Sequence, residues 1–231
     1  MATYLLNNDT IAALVTPHGA GAIAVIRLSG KDAIAITEKV FNTKTLKPKK
    51  LGDKASHTAH FGLIVEEGVI IDEVLVTIFK APNTYTGEET VEISCHGSVF
   101  VQQQILQVLF KHGARPAQAG EYTLRAFLNG KLDLSQAEAV ADLIASNSAT
   151  SHQVAMQHMR GGFSNKIAVL RENLLNFASL IELELDFSEE DVEFADRTDL
   201  KKLINTILSI IEKLIASFEV GNVIKNGIPV A

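Results

Sequence analysis

The strand-like run IAVIRLSG, residues 23–30, carries one charge, Arg27. Alternation along it puts Arg27 on the same face as Ile23 and Val25, and a guanidinium there needs an anion or several acceptors to offset its desolvation. A structural salt bridge and a ligand contact both answer that need. In EETVEISCHGS, residues 88–98, alternation separates Val91, Ile93 and Cys95 from Glu92, Ser94 and His96. The carboxylate, hydroxyl and imidazole either line a pocket or cover a solvated sheet face. Cys95, on the apolar side, reads as a small buried hydrophobe rather than a nucleophile. His96 belongs to no triad, because no serine elbow accompanies it. The pairs His57/His60 and His152/His158 lack the cysteine or carboxylate spacing of a metal site. A third charge, Lys131, follows Asn129-Gly130 between two amphipathic helical patterns. A helix stop with a cation near the last carbonyls accounts for it, followed by a new start at Ser135 with Glu138 completing a capping box. A ligand-binding elbow is the sharper alternative.

The elements that must position these groups fall into two regions. Residues 10–115 mix β-rich runs, such as AIAVIRLSG and VLVTIF, with helical spacing at 31–41 and 98–112. Ser98 is a candidate N-cap for the second helix, and Gly113 and Pro116 end it. From Gly120 onward the period is helical. Ala137, Val140, Ala141 and Ile144 form one stripe, and Ile167, Leu170, Leu174, Phe177 and Ile181 another. Leu200, Ile204, Ile207, Ile211, Leu214 and Phe218 step by four and three, the spacing of a bundle seam. SEEDVEFAD reads as solvated helix-end charge, since it lacks the ligand spacing of a calcium loop. The fold class is therefore an α+β N-terminal domain followed by an all-α bundle. A length of 231 residues accommodates both.

Composition narrows the function classes. A net charge of -6 supplies no general attraction to nucleic acid, so any RNA contact must be local. One cysteine excludes an internal disulfide framework. No apolar run is long enough to span a membrane and the N-terminus lacks a signal peptide, which makes the cytoplasm the expected compartment. Gly19 and Gly21 precede the β-rich run, whereas a dinucleotide loop follows its strand, and GxxxxGK[ST] occurs nowhere.

Five segments together resemble the bacterial tRNA modification GTPase family MnmE, also called TrmE: TPHGAGAIAVIRLSG, APNTYTGEETVEISCHGS, GEYTLRAFLNGKLDLSQAEAVADLI, DFSEEDVEF and the terminal GIPVA. The resemblance implies a folate-binding, dimerising domain of aminomethyltransferase-like fold at 1–118. It implies the first part of a helical domain at 119–225 and the start of a G domain at 226–231. Carried over onto VIRLSG, TVEIS and LNGKLDL, it implies that Arg27, Glu92 and Lys131 contact 5-formyltetrahydrofolate or a related tetrahydrofolate. It nominates no catalytic nucleophile and no metal ligand in this chain. Family members act as homodimers with the FAD-dependent partner MnmG on tRNA, and the sites for GTP, potassium and magnesium are expected outside this chain. The expected product is an aminomethyl or carboxymethylaminomethyl group on carbon 5 of the wobble uridine. A stand-alone folate-dependent aminomethyltransferase and a purely structural dimerisation module are the rival readings. Ser98 stands where the family commonly has glycine, and Ala119 where it has proline.

Overall fold

The computed structural model describes residues 9–186 and 197–226. Most of the acidic DFSEEDVEF segment, the terminal GIPVA, and the side chains of Leu214 and Phe218 lie outside the described residues. The elements run β1 (Ile11–Leu14), β2 (Ile23–Ser29), α1 (Ala33–Val40), β3 (Phe41–Asn42), β4 (Thr58–Glu66), β5 (Val69–Phe79), β6 (Thr90–His96), α2 (Val99–Lys111) and β7 (Arg115–Pro116). They continue as α3 (Glu121–Leu128), α4 (Leu134–Ala145), α5 (Ala149–Met159), α6 (Gly162–Asp186) and α7 (Arg197–Asn226). The chain divides into two compact units, residues 1–132 and 133–231.

Unit 1 is a seven-stranded sheet in the order β3-β4-β5-β6-β2-β1-β7. Every pairing is antiparallel except that of β1 with β7. Period-two patterning decides which face is covered. Ala24, Ile26 and Leu28 of β2, Val91, Ile93 and Cys95 of β6, and Val74, Val76 and Ile78 of β5 are buried, and α1 and α2 pack over them through Ile36, Val40, Ile105 and Leu109. The assignment of Val91, Ile93 and Cys95 to one face holds. Arg27 lies on the other face, but this is not an apolar side turned to the core, because Ile23 is 68% exposed. The core takes the opposite parity of β2, and Arg27 stands on the open side.

The expected division at residue 118 differs from the observed one. Although α3 reads as the first helix of the helical region, it packs with the sheet unit, because its Arg125 pairs with Asp9 and Glu88 and its Glu121 pairs with Arg115 of β7. The stop after α3 follows the sequence pattern: Gly130 takes φ 67°, and the Gly130 and Lys131 amides close on the carbonyls of Phe127 and Ala126. The capping box falls elsewhere. Asp133, extended at φ -82° and ψ 172°, is the N-cap of α4 and exchanges hydrogen bonds with Gln136 at 2.8 and 2.9 Å, which places Ser135 inside the first turn.

In unit 2 the helices form where periodicity puts them, yet their stripes are only partly covered. Ala139 is the buried residue of α4, whereas Ile144, assigned to the stripe, is 81% exposed. Leu170 of α6 is buried, while Ile167, Leu174 and Ile181 on the same stripe are exposed. No described helix is long and apolar enough to cross a membrane.

Candidate functional site

The register of β2 against β6 sets Arg27 directly opposite Glu92. Cross-strand neighbours on one face lie close enough for side chains to meet. Arg27 Nε and Nη2 donate to Glu92 Oε1 at 2.9 and 2.7 Å. Both side chains are about three-quarters buried, at 25% and 26% exposure. Since both bonds go to one oxygen, Oε2 of Glu92 and Nη1 of Arg27 keep hydrogen-bonding capacity among the described residues.

Two aromatic rings flank the guanidinium. The Arg27 Cζ lies 5.6 Å from the centroids of both Tyr85 and Tyr122, within cation–π range. Tyr122, in the first turn of α3, donates its hydroxyl to the Arg27 carbonyl at 2.6 Å, and burial pushes its phenol pKa up despite the nearby Arg27 charge. Tyr85 stands on the turn before β6 and is partly exposed, with its hydroxyl 3.0 Å from Thr123 Oγ1. That turn is fixed from several sides: Thr86 and Glu88 hydrogen-bond Ser29 Oγ, Asn129 donates to the Thr86 carbonyl, and Arg125 Nη1 contacts both oxygens of Glu88.

Lys131 is exposed, and its ammonium has no hydrogen bond or ion pair among the described residues. Its stem crosses the same turn. A Cβ added at Gly87 would sit 3.2 Å from Lys131 Cε and 3.5 Å from its Cγ, and Gly87 has φ 78°. The structure thus joins Arg27 and Glu92 directly and brings Lys131 to the turn that carries Tyr85.

His96, on the same face as Glu92, is held by a buried carboxylate. Its amide and Nδ1 contact the two oxygens of Asp72 at 2.7 and 2.6 Å, which leaves Nε2 toward solvent. Cys95 is buried, and burial together with Asp72 pushes its thiol up to about 11, as suits a core residue. Among the described residues no cluster of histidine, cysteine and carboxylates could hold a metal ion. Sequence reasoning missed Tyr85, Tyr122, Asp72 and Arg125. The tyrosines had a compositional signal, since the chain has three tyrosines and no tryptophan and two of the three stand on Arg27. Asp72 had none, because only tertiary packing brings it beneath His96.

A partly buried ion pair on an open sheet face, two tyrosine rings and an unpartnered ammonium suit a planar, anionic ligand with both donors and acceptors. Comparison with known proteins gives this arrangement a family. The family model described as GTP-binding protein TrmE N-terminus matches residues 10–131, and that described as MnmE helical domain matches residues 134–229. A protein named tRNA modification GTPase MnmE from Flavobacterium johnsoniae is 66% identical over 98% of this chain and 48% of its own length. Proteins of the same name from Cytophaga hutchinsonii and Bacteroides fragilis are 59% and 58% identical, over 99% and 98% of this chain and 49% and 48% of their own lengths. The chain spans about half the length of these relatives. With both family models matched in order across nearly all of its residues, the chain belongs to the MnmE (TrmE) family.

Proposed function

We propose that this chain is the folate-binding, dimerising part of a tRNA modification GTPase. In that reading the whole protein works with MnmG in the cytoplasm to place an aminomethyl or carboxymethylaminomethyl group on carbon 5 of the wobble uridine. The observation that carries the folate part is the Arg27–Glu92 pair, which joins an acceptor oxygen to fixed donors on the open face, with the Lys131 stem against the turn that carries Tyr85. A tetrahydrofolate has the complementary groups: a 2-amino-pyrimidinone edge, a ring face and a carboxylate tail. When bound, the folate supplies the one-carbon unit; Glu92, Arg27 and Lys131 bind and orient it.

Self-association is supported by the open face of the sheet. Register places Phe61, Leu75, Ser94 and Val25 in one row across β4, β5, β6 and β2, and Phe61 and Leu75 are exposed. The lack of GxxxxGK[ST] in these 231 residues supports assigning GTP to other parts of the protein.

Calorimetric titration with 5-formyltetrahydrofolate tests the reading. Binding should be saturable, and Glu92→Gln or Arg27→Ala should weaken it roughly ten- to a hundredfold, as removal of one charge-assisted partner does. Unchanged affinity in both variants, with a lowered melting temperature, would favour the structural module, since Arg27 and Glu92 do satisfy one another. The stand-alone aminomethyltransferase reading is disfavoured by the match to the helical domain over residues 134–229.

A further inference from the structure

The cations of unit 1 are unevenly placed. Lys44, Lys47, Lys49, Lys50 and Lys54 stand within residues 44–54, with Asp53 the one carboxylate among them, in a chain whose net charge is -6. The run follows β3, the edge strand of the sheet, and folds as two turns. In the first, the Thr43 amide donates to the Lys47 carbonyl and the Lys49 amide to that of Phe41; in the second, the Lys54 amide donates to the Leu51 carbonyl. Both turns are pinned to the sheet unit. Lys49 donates to the Phe61 carbonyl of β4 at 2.7 Å, and Lys44 Nζ lies 4.8 Å from the Phe61 ring centroid. Lys80, just after β5, donates to the Gly52 carbonyl at 2.6 Å, and the Leu51 and Gly52 amides donate to Glu38 of α1. Burial, with the charges of Lys49 and Lys54, pushes His60 below its ordinary pKa, so the two turns bear on one point of β4.

These lysines and Lys80 share one edge, and none of them pairs with a carboxylate among the described residues, where the lysine ion pairs belong to Lys111 and Lys202. Protection of the edge strand does not account for them, because Phe41–Asn42 carries no lysine and the charges stand on the turns beyond it. A lipid surface needs apolar side chains to insert beside the charges. Here the exposed ones are Leu46 and Phe61, and Lys44 covers Phe61. From Phe61 to Thr58, which pairs with Ile78 close to Lys80, the cluster follows β4 for about 10 Å, longer than one nucleotide step.

We propose, resting on the tRNA-modification reading, that this lysine cluster at the β3 edge tracks the phosphate backbone of tRNA. It supplies the local attraction that a chain of net charge -6 otherwise lacks, and it supplies affinity rather than sequence readout. Turns already pinned to the sheet lose little freedom when the RNA docks. The cluster lies three strands from Arg27 in the order β4-β5-β6-β2, roughly 14 Å, so folate affinity serves as its control.

The test is fluorescence anisotropy of a labelled tRNA transcript with an unmodified wobble uridine, titrated with the 231-residue chain over a range of salt. Lys47, Lys50 and Lys54 are exposed and their ammonium groups make no hydrogen bond or ion pair among the described residues, so Lys47→Gln/Lys50→Gln/Lys54→Gln removes charge without removing a structural contact. It should weaken tRNA binding roughly tenfold or more and reduce the slope of log K against log salt by about two to three, with melting temperature and folate affinity unchanged. The charge-matched variant Lys31→Gln/Lys201→Gln/Lys213→Gln should stay within about twofold of wild type. Equal losses in the two variants, no loss in the first, or a wild-type chain that binds no tRNA would overturn the proposal. Binding of phosphatidylglycerol vesicles through the same lysines in place of tRNA would overturn it too. None of these outcomes touches the tRNA-modification reading, which fails separately if the full-length protein with MnmG leaves the wobble uridine unmodified.

Discussion

Arg27 and Glu92 meet because two strands pair in one register; alternation alone made Arg27 legible as a charge in need of a partner and Glu92 as part of a polar strand face. Their mutual contact was not legible, since nothing in either strand states which residue of the other it faces. Lys131 was legible as the residue after a glycine helix stop, but its packing against Gly87 was not, because a turn far away in sequence makes it. Gly87→Ala would force a Cβ into 3.2 Å contact with Lys131 and Asn129 at a φ of 78°. Lys131 and the Tyr85 turn should move apart, weakening folate several-fold with a modest loss of stability; unchanged binding would show that the turn does not place Lys131. Cys95 gives a second residue-scale expectation. As the single cysteine, buried and with its thiol pushed up to about 11, it should resist iodoacetamide at pH 8 in the native protein and react fully once unfolded, followed by mass spectrometry. Native labelling at the unfolded rate would contradict its place in the core.

Helix α3 shows how an element can be read correctly and assigned to the wrong neighbour. Its stop at Asn129-Gly130 and its amphipathic period were visible in the sequence, whereas its attachment depends on charges scattered from Asp9 to Arg125. Arg125 is buried and reaches Asp9, Glu88 and Glu121, and Arg115 reaches Asp9 and Glu121. Burial raises the carboxyl pKa values of Asp9 and Glu121, but hydrogen bonds from Arg115 and Arg125 outweigh it and hold both below their ordinary 3.8 and 4.5. A folded-state pKa below the unfolded one stabilises the protein fully above the unfolded value and loses that contribution as pH falls through the folded value. Stability from α3 docking should therefore hold down to about pH 5 and decline steadily below the unfolded value of Glu121. Urea unfolding of unit 1 between pH 6 and 2 checks this, and Glu121→Gln should lower stability at pH 6 and flatten the acid limb. An acid limb equally steep in the variant would place the titration elsewhere.

For the molecule taken as a whole, the sheet unit and the helical unit differ in how completely each covers its apolar surface. The sheet has one face closed by α1 and α2, and its patterning was readable because a strand's period of two separates core from solvent without reference to other elements. Helical stripes state that a partner is needed but not which one. Here α6 contacts α5 and α7, yet Leu174 and Ile181 of α6 and Ile204 and Ile211 of α7 stay about 40% exposed at seam spacing. An apolar seam left that open in water attracts either another apolar face or a hydrophobic dye. The 231-residue chain should therefore bind 8-anilinonaphthalene-1-sulfonate or self-associate through unit 2. The double variant Ile204→Glu/Ile211→Glu should reduce that signal sharply, because two charges would then interrupt the stripe, while folate binding in unit 1 and the labelling behaviour of Cys95 stay unchanged. Dye fluorescence and sedimentation, measured on both chains at equal concentration, decide the point: a wild-type chain that neither binds dye nor associates, or a variant indistinguishable from it, would mean that the exposed seam is not a sticky surface in solution.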